Sequence, residues 1–173
     1  MGKKSKRPGR AAKREERKNN PTPTPTPTQA SEVAAQASDN AETQVLERRA
    51  NVGGPDTQFA LGCMYYQGNG VDQDYPEALT CFKEAANLGH AKAMFNLGVM
   101  YDDGQGVGQD YTQALAWYEK AANLGHAQAM SNLGVMYKNG QGVDQDYTQA
   151  LAWFEKAANL GHAKAMFNLG VMY

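Results

Sequence analysis

The sequence predicts an all-α protein, an α-α superhelix (solenoid) of antiparallel helix pairs that repeat every 36 residues. Marker residues return at constant spacing, each unit carries two helix-like apolar patterns, and glycines stand where helices must end. The markers form three series: Gly62, Gly98, Gly134 and Gly170; Tyr75, Tyr111 and Tyr147; Gly89, Gly125 and Gly161. A period of about 20–50 residues is typical of a solenoid, in which each unit packs on its neighbours.

The first helix of each unit is predicted by an apolar stripe. In residues 91–126, Ala93, Leu97 and Tyr101 lie four apart, as on one face of an amphipathic helix. Gly98 lies inside this stripe, although glycine costs about 1 kcal/mol of helix propensity relative to alanine. We therefore expect a neighbouring helix to approach closely at Gly98.

The second helix has start and stop signals. Asp110 predicts an N-cap, and Gln113 three residues later would complete a capping box. Tyr118 should lie on the buried side, and Gly125 predicts a left-handed residue just beyond the helix end. Because the connections are short, the two helices should be antiparallel neighbours.

Three full units cover residues 55–90, 91–126 and 127–162, and an incomplete fourth covers 163–173. The second and third differ only at positions 92, 95, 102, 103, 108 and 118 and their equivalents 36 residues later. The fourth stops within its first helix, which leaves an apolar face without a second helix. We expect a truncation here, with contact to another subunit as the alternative.

The residues before 55 change in composition. Residues 1–20 are highly charged and predict a disordered basic tail. Residues 21–38 open with PTPTPTPT, which favours an extended polyproline spacer, and continue as a polar linker. Residues 39–54 align with the second helix of later units and predict a degenerate N-terminal capping helix, which would cover the first apolar face.

Charge is divided between the tail and the repeats. Residues 1–20 hold nine Lys or Arg against two Glu, or +7, and the remaining residues hold eight against sixteen Asp or Glu, or -8. This tail resembles a two-part nuclear import signal, and it also suits contact with nucleic-acid phosphates or, less favoured, acidic lipid. Its basic residues are Lys3, Lys4, Lys6, Arg7, Arg10, Lys13, Arg14, Arg17 and Lys18.

A longer string carries a family resemblance. Ala-x-x-x-Leu-Gly-x-x-Tyr, Gly-x-Gly-Val, Asp-Tyr, Ala-Leu-x-Trp-[Tyr/Phe]-x-Lys-Ala-Ala and Gly-His follow one another in residues 93–126 and 129–162. This pattern resembles the Sel-one-like repeat, a relative of the tetratricopeptide repeat. Cys81 at the tryptophan position and Ala60 at an asparagine position depart from it. The resemblance implies an α-α superhelix and an adaptor function, since members of the family are mostly scaffolds.

We therefore expect a noncatalytic scaffold that binds other proteins or extended peptides on its concave face. One alternative is a nucleic-acid-associated or nuclear recruiter anchored by the basic tail. A less favoured alternative is a β-lactamase-like hydrolase, as in cysteine-rich, exported bacterial relatives. This chain has two cysteines and no visible secretory signal.

No residue pattern predicts catalysis, a metal site or a cofactor. His90, His126 and His162 occupy one slot per repeat, and stacked repeats lie about 10 Å apart, too far for ligands that need about 2.1 Å. We expect these histidines to start helices. The Gly-x-Gly turns lack the strand that a phosphate loop requires. Cys63 and Cys81 read as buried, reduced packing residues, with a disulfide left open.

Binding should use positions that stacking does not need. Three columns of the first helix, about 90–100° or more from the Leu97 side, are predicted to line the concave face. An asparagine column there could hydrogen-bond the backbone of a partner peptide, with a solvated helix face as the alternative. The columns are Lys92, Gln128 and Lys164; Asn96, Asn132 and Asn168; Asp103 and Asn139.

The sequence also bears on location. No apolar run approaches the roughly 18 residues needed to span a bilayer. The basic start is followed by polar residues and not by the apolar segment of a secretory signal. We expect an intracellular protein, nuclear or cytoplasmic, that is not secreted.

Overall fold

A computed structural model describes residues 53–172, which form seven α-helices and no strand within that range. Each helix packs mainly against the helices before and after it in the chain, so the predicted all-α superhelix of antiparallel pairs is confirmed. The helices are α1 (Pro55–Gln67), α2 (Tyr75–Asn87), α3 (Ala91–Asp103), α4 (Tyr111–Asn123), α5 (Ala127–Asn139), α6 (Tyr147–Asn159) and α7 (Ala163–Met172).

Several predictions from the sequence concern other residues. The disordered tail at 1–20 and the spacer and linker at 21–38 lie outside the described residues, as does the capping helix at 39–54 except for its last two positions. Those two positions are Gly53 and Gly54, and Gly54 is the N-cap of α1.

The glycine inside each first helix is where the two helices of a unit meet. A Cβ atom on Gly98 would lie 2.5 Å from ring atoms of Tyr118, and one on Gly134 would lie 2.6 Å from the ring of Phe154. Carbon atoms are at their optimal separation near 3.5–4.0 Å, so only glycine admits the ring. The predicted close approach is confirmed, and the ring of Tyr118 is almost completely buried by it.

Each second helix begins at an aspartate, as predicted, but the capping box is wrong in one half. Asp110 accepts a hydrogen bond from the backbone N–H of Gln113 at 3.0 Å, as an N-cap does. In a full box the Gln113 side chain would return to the N–H of Asp110. That N–H instead donates to the carbonyl of Tyr101 on α3, at 2.9 Å. The bond ties the two helices of the unit together.

One histidine joins each unit to the next. Gly89 has a φ of 87°, and its N–H and that of His90 donate to the carbonyls of Ala86 and Ala85, which closes α2 in a Schellman motif. The Nδ1 of His90 then accepts from the N–H of Ala93 at 3.1 Å and caps α3. The helix-start role predicted for the histidines is confirmed. The same residue also ends the preceding helix, a second role that was not predicted.

The loop inside each unit is held by a glutamine whose role was not predicted from the sequence. Nε2 of Gln109 donates to the carbonyl of Asp102 at 2.6 Å and to the Tyr111 hydroxyl at 3.1 Å. Gln73 and Gln145 repeat both bonds in their own units. Each glutamine therefore connects the end of a first helix to the start of the second.

The second glycine of each Gly-x-Gly turn makes a contact between units. A Cβ atom on Gly106, whose φ is 69°, would lie 2.7 Å from the carbonyl carbon of Tyr75 in the unit before. A Cβ atom on Gly142 would lie 2.5 Å from the carbonyl carbon of Tyr111. The turn thus packs against the backbone at the start of the second helix in the preceding unit. This contact explains the glycine, so no phosphate-binding role is needed.

The core consists of side chains from both helices of each unit. The largest fully buried side chains include Phe82, Tyr118 and Phe154 from second helices and Leu97 and Leu133 from first helices. Within residues 53–172, no helix has the length and apolar character needed to cross a membrane.

The cysteines of the first unit are close to their predicted state. Cys81 is buried, whereas Cys63 is only half-buried, so the prediction of burial is partly wrong for Cys63. Neither cysteine takes part in a disulfide bond. Burial raises the pKa of the Cys63 thiol, an effect that the nearby Lys92 ammonium partly offsets.

Candidate interaction surface

The predicted binding columns occupy equivalent positions on α3, α5 and α7. The asparagine column is half-buried, and the two flanking columns are exposed. The half-buried members are Asn96, Asn132 and Asn168, and the exposed members are Lys92, Gln128, Lys164, Asp103 and Asn139. The neighbouring positions Leu97 and Leu133 are completely buried. Each column therefore presents polar groups beside the core. That a partner binds through these columns stays a prediction.

One asparagine of the column already has an internal partner. The Tyr118 hydroxyl donates to Oδ2 of Asp102 at 3.3 Å and lies within hydrogen-bonding reach of the Asn132 side chain. Burial, with Asp102 nearby, raises the pKa of Tyr118 well above its usual range. The phenol therefore stays protonated and can donate. These three side chains come from α3, α4 and α5, so they connect two successive units.

Three of the six differences between the second and third units converge on Tyr118. The Phe95 ring lies 5.8 Å from the Tyr118 ring, and Asp102 accepts from its hydroxyl. The third unit has Ser131, Lys138 and Phe154 at these three positions. Residues that touch one another have changed together, while the helices and turns of the two units remain the same.

Asp102 and Asp103 form the acidic end of the cluster around Tyr118. Burial raises the pKa of Asp102, the bond from Tyr118 lowers it, and the neighbouring Asp103 raises it. Asp103 is exposed and also contributes to a raised pKa of Tyr66, whose hydroxyl donates to Oε1 of Gln105 at 2.6 Å. The carboxylates are replaced by Lys138 and Asn139 in the next unit. The charge of the surface therefore reverses from one unit to the next.

At the other end of the first helices, two of the capping histidines stack on a phenylalanine ring. The rings of Phe95 and His126 are stacked, with centroids 4.7 Å apart, as are those of Phe59 and His90 at 4.4 Å. Burial, the Lys92 charge and His162 lower the pKa of His126. No group of three or more His, Cys, Asp or Glu in residues 53–172 is arranged to hold a metal ion.

A second repeated feature was not predicted from the sequence. Leu88, Leu124 and Leu160 follow the second helices at the C-cap position, and each is more than half exposed. An apolar residue that recurs without being buried is a candidate contact for a partner. Its signal was present in the sequence, because the leucine precedes the glycine that ends each second helix.

The two tryptophans pack at the edge of the core. Trp117 and Trp153 are half-buried and pack against the core clusters. The outer side of each ring is covered by a lysine of the same helix, with Nζ of Lys120 at 3.9 Å from the ring centre and Nζ of Lys156 at 4.0 Å. The packing role is the main one.

The basic tail was the other predicted contact. All nine of its residues, from Lys3 to Lys18, lie outside the described residues.

The described part of the chain is thus a helical-repeat solenoid with a polar column on its first helices and no arrangement of side chains specific to one reaction. A family model described as the Sel1 repeat matches residues 55–90, 91–126, 127–162 and 163–173. The chain belongs to the Sel1 repeat family. Proteins of this family are generally protein-interaction scaffolds and typically noncatalytic.

Solved structures agree with this assignment. The chain is 43% identical to a protective antigen of uropathogenic Escherichia coli with an SLR fold, with a TM-score of 0.67 over 69% of this chain and 26% of the antigen. It is 37% identical to a Sel1 repeat protein from Oxalobacter formigenes, with a TM-score of 0.68 over 70% of this chain and 50% of that one. The chain therefore spans half or less of the length of these relatives.

A third structure is similar in fold alone. The cysteine rich protein B of Helicobacter pylori has a TM-score of 0.61 and 24% identity, over 78% of this chain and 96% of that protein. This likeness carries no activity to the present chain. A comparison with the curated proteins gave no match.

Proposed function

We propose that this protein is a noncatalytic scaffold that holds a partner peptide or protein on the three polar columns of its first helices. The observation that carries the proposal is the asparagine column. Asn96, Asn132 and Asn168 stand at the same place on the first helices of three successive units (α3, α5 and α7) and remain partly accessible, although residues beside them form the core.

The chemistry of the column suits an extended chain. An asparagine amide offers both donors and an acceptor, so it can pair with the C=O and N–H of a partner's backbone. Stacked repeats lie about 10 Å apart, and an extended peptide advances about 3.3 Å per residue. Asparagines from successive units would therefore meet every third residue of the partner.

The Tyr118 cluster supplies selectivity in this proposal. Asp102 and Asp103 put negative charge at one end of the second unit, whereas the third unit has Lys138 and Asn139 there. A partner that runs along the columns would meet an acidic unit followed by a basic one. We expect it to carry the complementary order of charges, which fixes its direction.

The test is affinity capture with the intact chain and with Asn96→Ala combined with Asn132→Ala, followed by identification of the retained proteins. We expect the paired change to abolish capture while the folded structure persists. Leu88→Ser combined with Leu124→Ser is the matched control, because it alters the exposed leucines and leaves the columns intact. Loss of capture in the leucine pair with full capture in the asparagine pair would overturn the proposal.

The two asparagines differ in what they do for the fold. Asn132 meets the Tyr118 hydroxyl, so its loss removes an internal bond worth about 1 kcal/mol. The residue equivalent to Tyr118 in the unit before Asn96 is Phe82, which has no hydroxyl. Asn96→Ala alone therefore separates binding from stability, and circular dichroism should give it the same melting temperature as the parent chain.

A nuclear or nucleic-acid-associated role is a second proposal, supported by the net charge of +7 on residues 1–20. In that role the tail would attach the scaffold and the repeats would recruit the partner. An intracellular location, nuclear or cytoplasmic, belongs to the same proposal. Microscopy of the tagged chain with and without residues 1–20 tests it, since nuclear signal that survives the deletion would contradict import by the tail.

A further inference from the structure

The leucine at the end of each second helix is exposed because of the repeat itself. Leu88 is 58% exposed, Leu124 is 54% exposed and Leu160 is 56% exposed. The first two are each followed by a complete unit of two helices, and their exposure matches that of the third. The position is therefore open to solvent in the middle of the solenoid, where both neighbouring units are in place.

The helix-ending motif does not require a leucine at this position. At the end of α2, the motif uses the positive φ of Gly89 and the N–H of His90. Leu88 contributes its backbone N–H, which any residue except proline supplies. The first and second units differ at 17 of their 36 positions, yet both have leucine here. Neither capping nor burial accounts for the side chain.

A column of charged residues runs beside the leucines, four residues earlier and on the same face of each helix. Lys120 and Lys156 stand there in the second and third units, and both are exposed. The Nζ atom of each lies over the tryptophan ring of its own helix, at 3.9 and 4.0 Å from the ring centre, which helps to hold the ammonium in place. In the first unit the exposed Glu84 takes this position.

The charged residues one position earlier on the same helices face the next unit instead. Nζ of Lys83 lies 6.0 Å from the ring centre of Tyr101, and Glu119 lies close enough to Tyr137 to raise its pKa. We call the surface formed by the three leucines the leucine ridge. Its flank thus carries one carboxylate at the first unit and ammonium groups at the next two.

The spacing of the leucine ridge matches that of an α-helix. Stacked repeats lie about 10 Å apart, and residues seven apart on an α-helix are separated by about 10.5 Å along its axis. Seven residues make almost two full turns, so such residues lie on one face of the helix. A helix of about 15 residues would therefore reach all three leucines.

The charges of the ridge favour a separate polypeptide over two other occupants. A two-fold pairing of ridges from two copies of the chain would place Lys120 against the same ammonium group of the other copy. An anionic membrane surface would attract the lysines but would repel the rest of residues 21–173, whose net charge is -8. A helix with its own carboxylates satisfies the lysines without either penalty.

We propose that the leucine ridge docks an amphipathic α-helix of another protein. The apolar residues of that helix stand seven apart and contact the three leucines, and its carboxylates face Lys120 and Lys156. A basic residue faces Glu84, which fixes the direction of the helix. The ridge lies at the ends of the second helices and the polar columns lie on the first helices, so either surface can fail without the other.

The experiment selects binders of the full chain from a displayed library of helices with randomised surface positions. Isolated short helices are marginal in water, so the library is carried on a helical hairpin. Leu88→Ser, Leu124→Ser and Leu160→Ser are combined to remove the ridge. Because these side chains are more than half exposed, circular dichroism should give this serine variant a melting temperature close to that of the parent chain. Asn96→Ala with Asn132→Ala is the matched control, which alters the columns and leaves the ridge.

We expect the selected helices to carry apolar residues seven apart, flanked by Asp or Glu. They should bind the serine variant at least tenfold more weakly than the parent chain, and the asparagine variant within twofold. Charge reversal gives a readout that does not depend on the leucines. Lys120→Glu with Lys156→Glu should weaken binding at least tenfold, and lysines in place of the carboxylates of the helix should restore it.

Three results would overturn the proposal. The selected helices bind the serine variant as tightly as the parent chain, or they lack the seven-residue spacing, or the leucines are needed for a different contact. That contact would be binding to phosphatidylserine vesicles or a dimer seen by light scattering, either of which the serine variant abolishes. The ridge would then serve a lipid surface or a second copy of the chain.

Discussion

A histidine side chain starts three of the helices, a task more often given to Ser, Thr, Asp or Asn. The acceptor is Nδ1, which can accept a hydrogen bond only while it is unprotonated. In His126 burial holds the imidazole neutral, helped by the charge of Lys92. The cap and the protonation state of the ring are therefore linked.

This linkage predicts a loss of stability as the pH falls below about 6.5. The folded-state pKa of His126 is lowered from 6.5, so the unfolded chain takes up a proton that the folded chain resists. Its contribution is complete above about pH 6.5 and is lost as the pH falls toward the folded pKa. Urea unfolding at several pH values should show this, and His126→Asn should flatten the slope, because asparagine caps at any pH.

The titration of His126 itself can be followed by NMR. Lys92→Gln, which copies the residue of the third unit, should raise the pKa of His126, since it removes a nearby positive charge. A pKa at or above 6.5 in the parent chain would contradict the explanation.

The glycines of the first helices give a second prediction at this scale. Gly98→Ala places a Cβ atom 2.5 Å from the Tyr118 ring, which is buried and has no room to move. Overpacking costs about 1–3 kcal/mol and helix propensity returns up to about 1 kcal/mol, so a net loss of about 1–2 kcal/mol in the free energy of unfolding is expected.

Gly170→Ala is the matched control for this change. It has the same sequence context and no described neighbour within 4 Å, so it should be neutral or slightly stabilising. Chemical denaturation measures both, and equal effects at the two positions would rule out the close approach as the reason for the glycine.

At the scale of elements, the turns do more than reverse the chain. Each turn is closed by its glutamine and rests on the unit before it through the second glycine of the Gly-x-Gly pattern. The turn is therefore part of the interface between units. Helix packing and turn packing repeat together, which explains the absence of insertions in the period.

Substitutions in one turn test this role. Gly106→Ala should destabilise the protein by about 1–3 kcal/mol, because it adds strain at a positive φ and drives a Cβ atom into the backbone of Tyr75. Gly108→Ala, two residues away and open, should change the unfolding free energy by less than about 0.5 kcal/mol. A similar loss in both variants would show that the contact with Tyr75 is unimportant.

At the scale of the whole molecule, stability in a solenoid is a sum over units and their interfaces. A helix with a neighbour on one side should open more often than one enclosed on both. The chain supplies its own control here, since α3 and α7 share a sequence and therefore share intrinsic rates of amide exchange.

Hydrogen exchange followed by mass spectrometry on the polypeptide of residues 1–173 should show α7 exchanging at least tenfold faster than α3. The expected cause is packing, because Phe167 is exposed while Phe95 lies against Tyr118 and His126. Equal protection of the two helices would mean that something covers α7.

The charge of the tail gives a last prediction for the whole chain. The intact protein should bind a polyanion such as double-stranded DNA with strong salt dependence, and removal of residues 1–20 should abolish this, because it takes away nine positive charges. The deletion should leave the melting temperature unchanged. Salt-dependent binding of DNA that survives the deletion would show that the repeats, and not the tail, make the contact.

The fold could be predicted in detail because the same signals recur in each unit. Gly98, Asp110, Gly125 and His126 each predict a local geometry, and their 36-residue spacing makes an accidental match improbable. Besides the exposed leucines, the missed features were those in which one residue acts in two places. The Asp110 N–H bonds to α3 and not to its own helix, and Gly106 serves the unit before its own.

The sequence by itself determined the repeat, the bounds of the units, and the chemistry of the exposed columns. Tertiary structure decided which of those residues meet. Asp102, Tyr118 and Asn132 form one cluster, and the turn at Gly106 packs against Tyr75 of the unit before. The physical reason is the distance along the chain over which each kind of interaction acts. Capping and helix periodicity act within a few residues along the chain, whereas packing joins side chains from different units, whose distances no local pattern records.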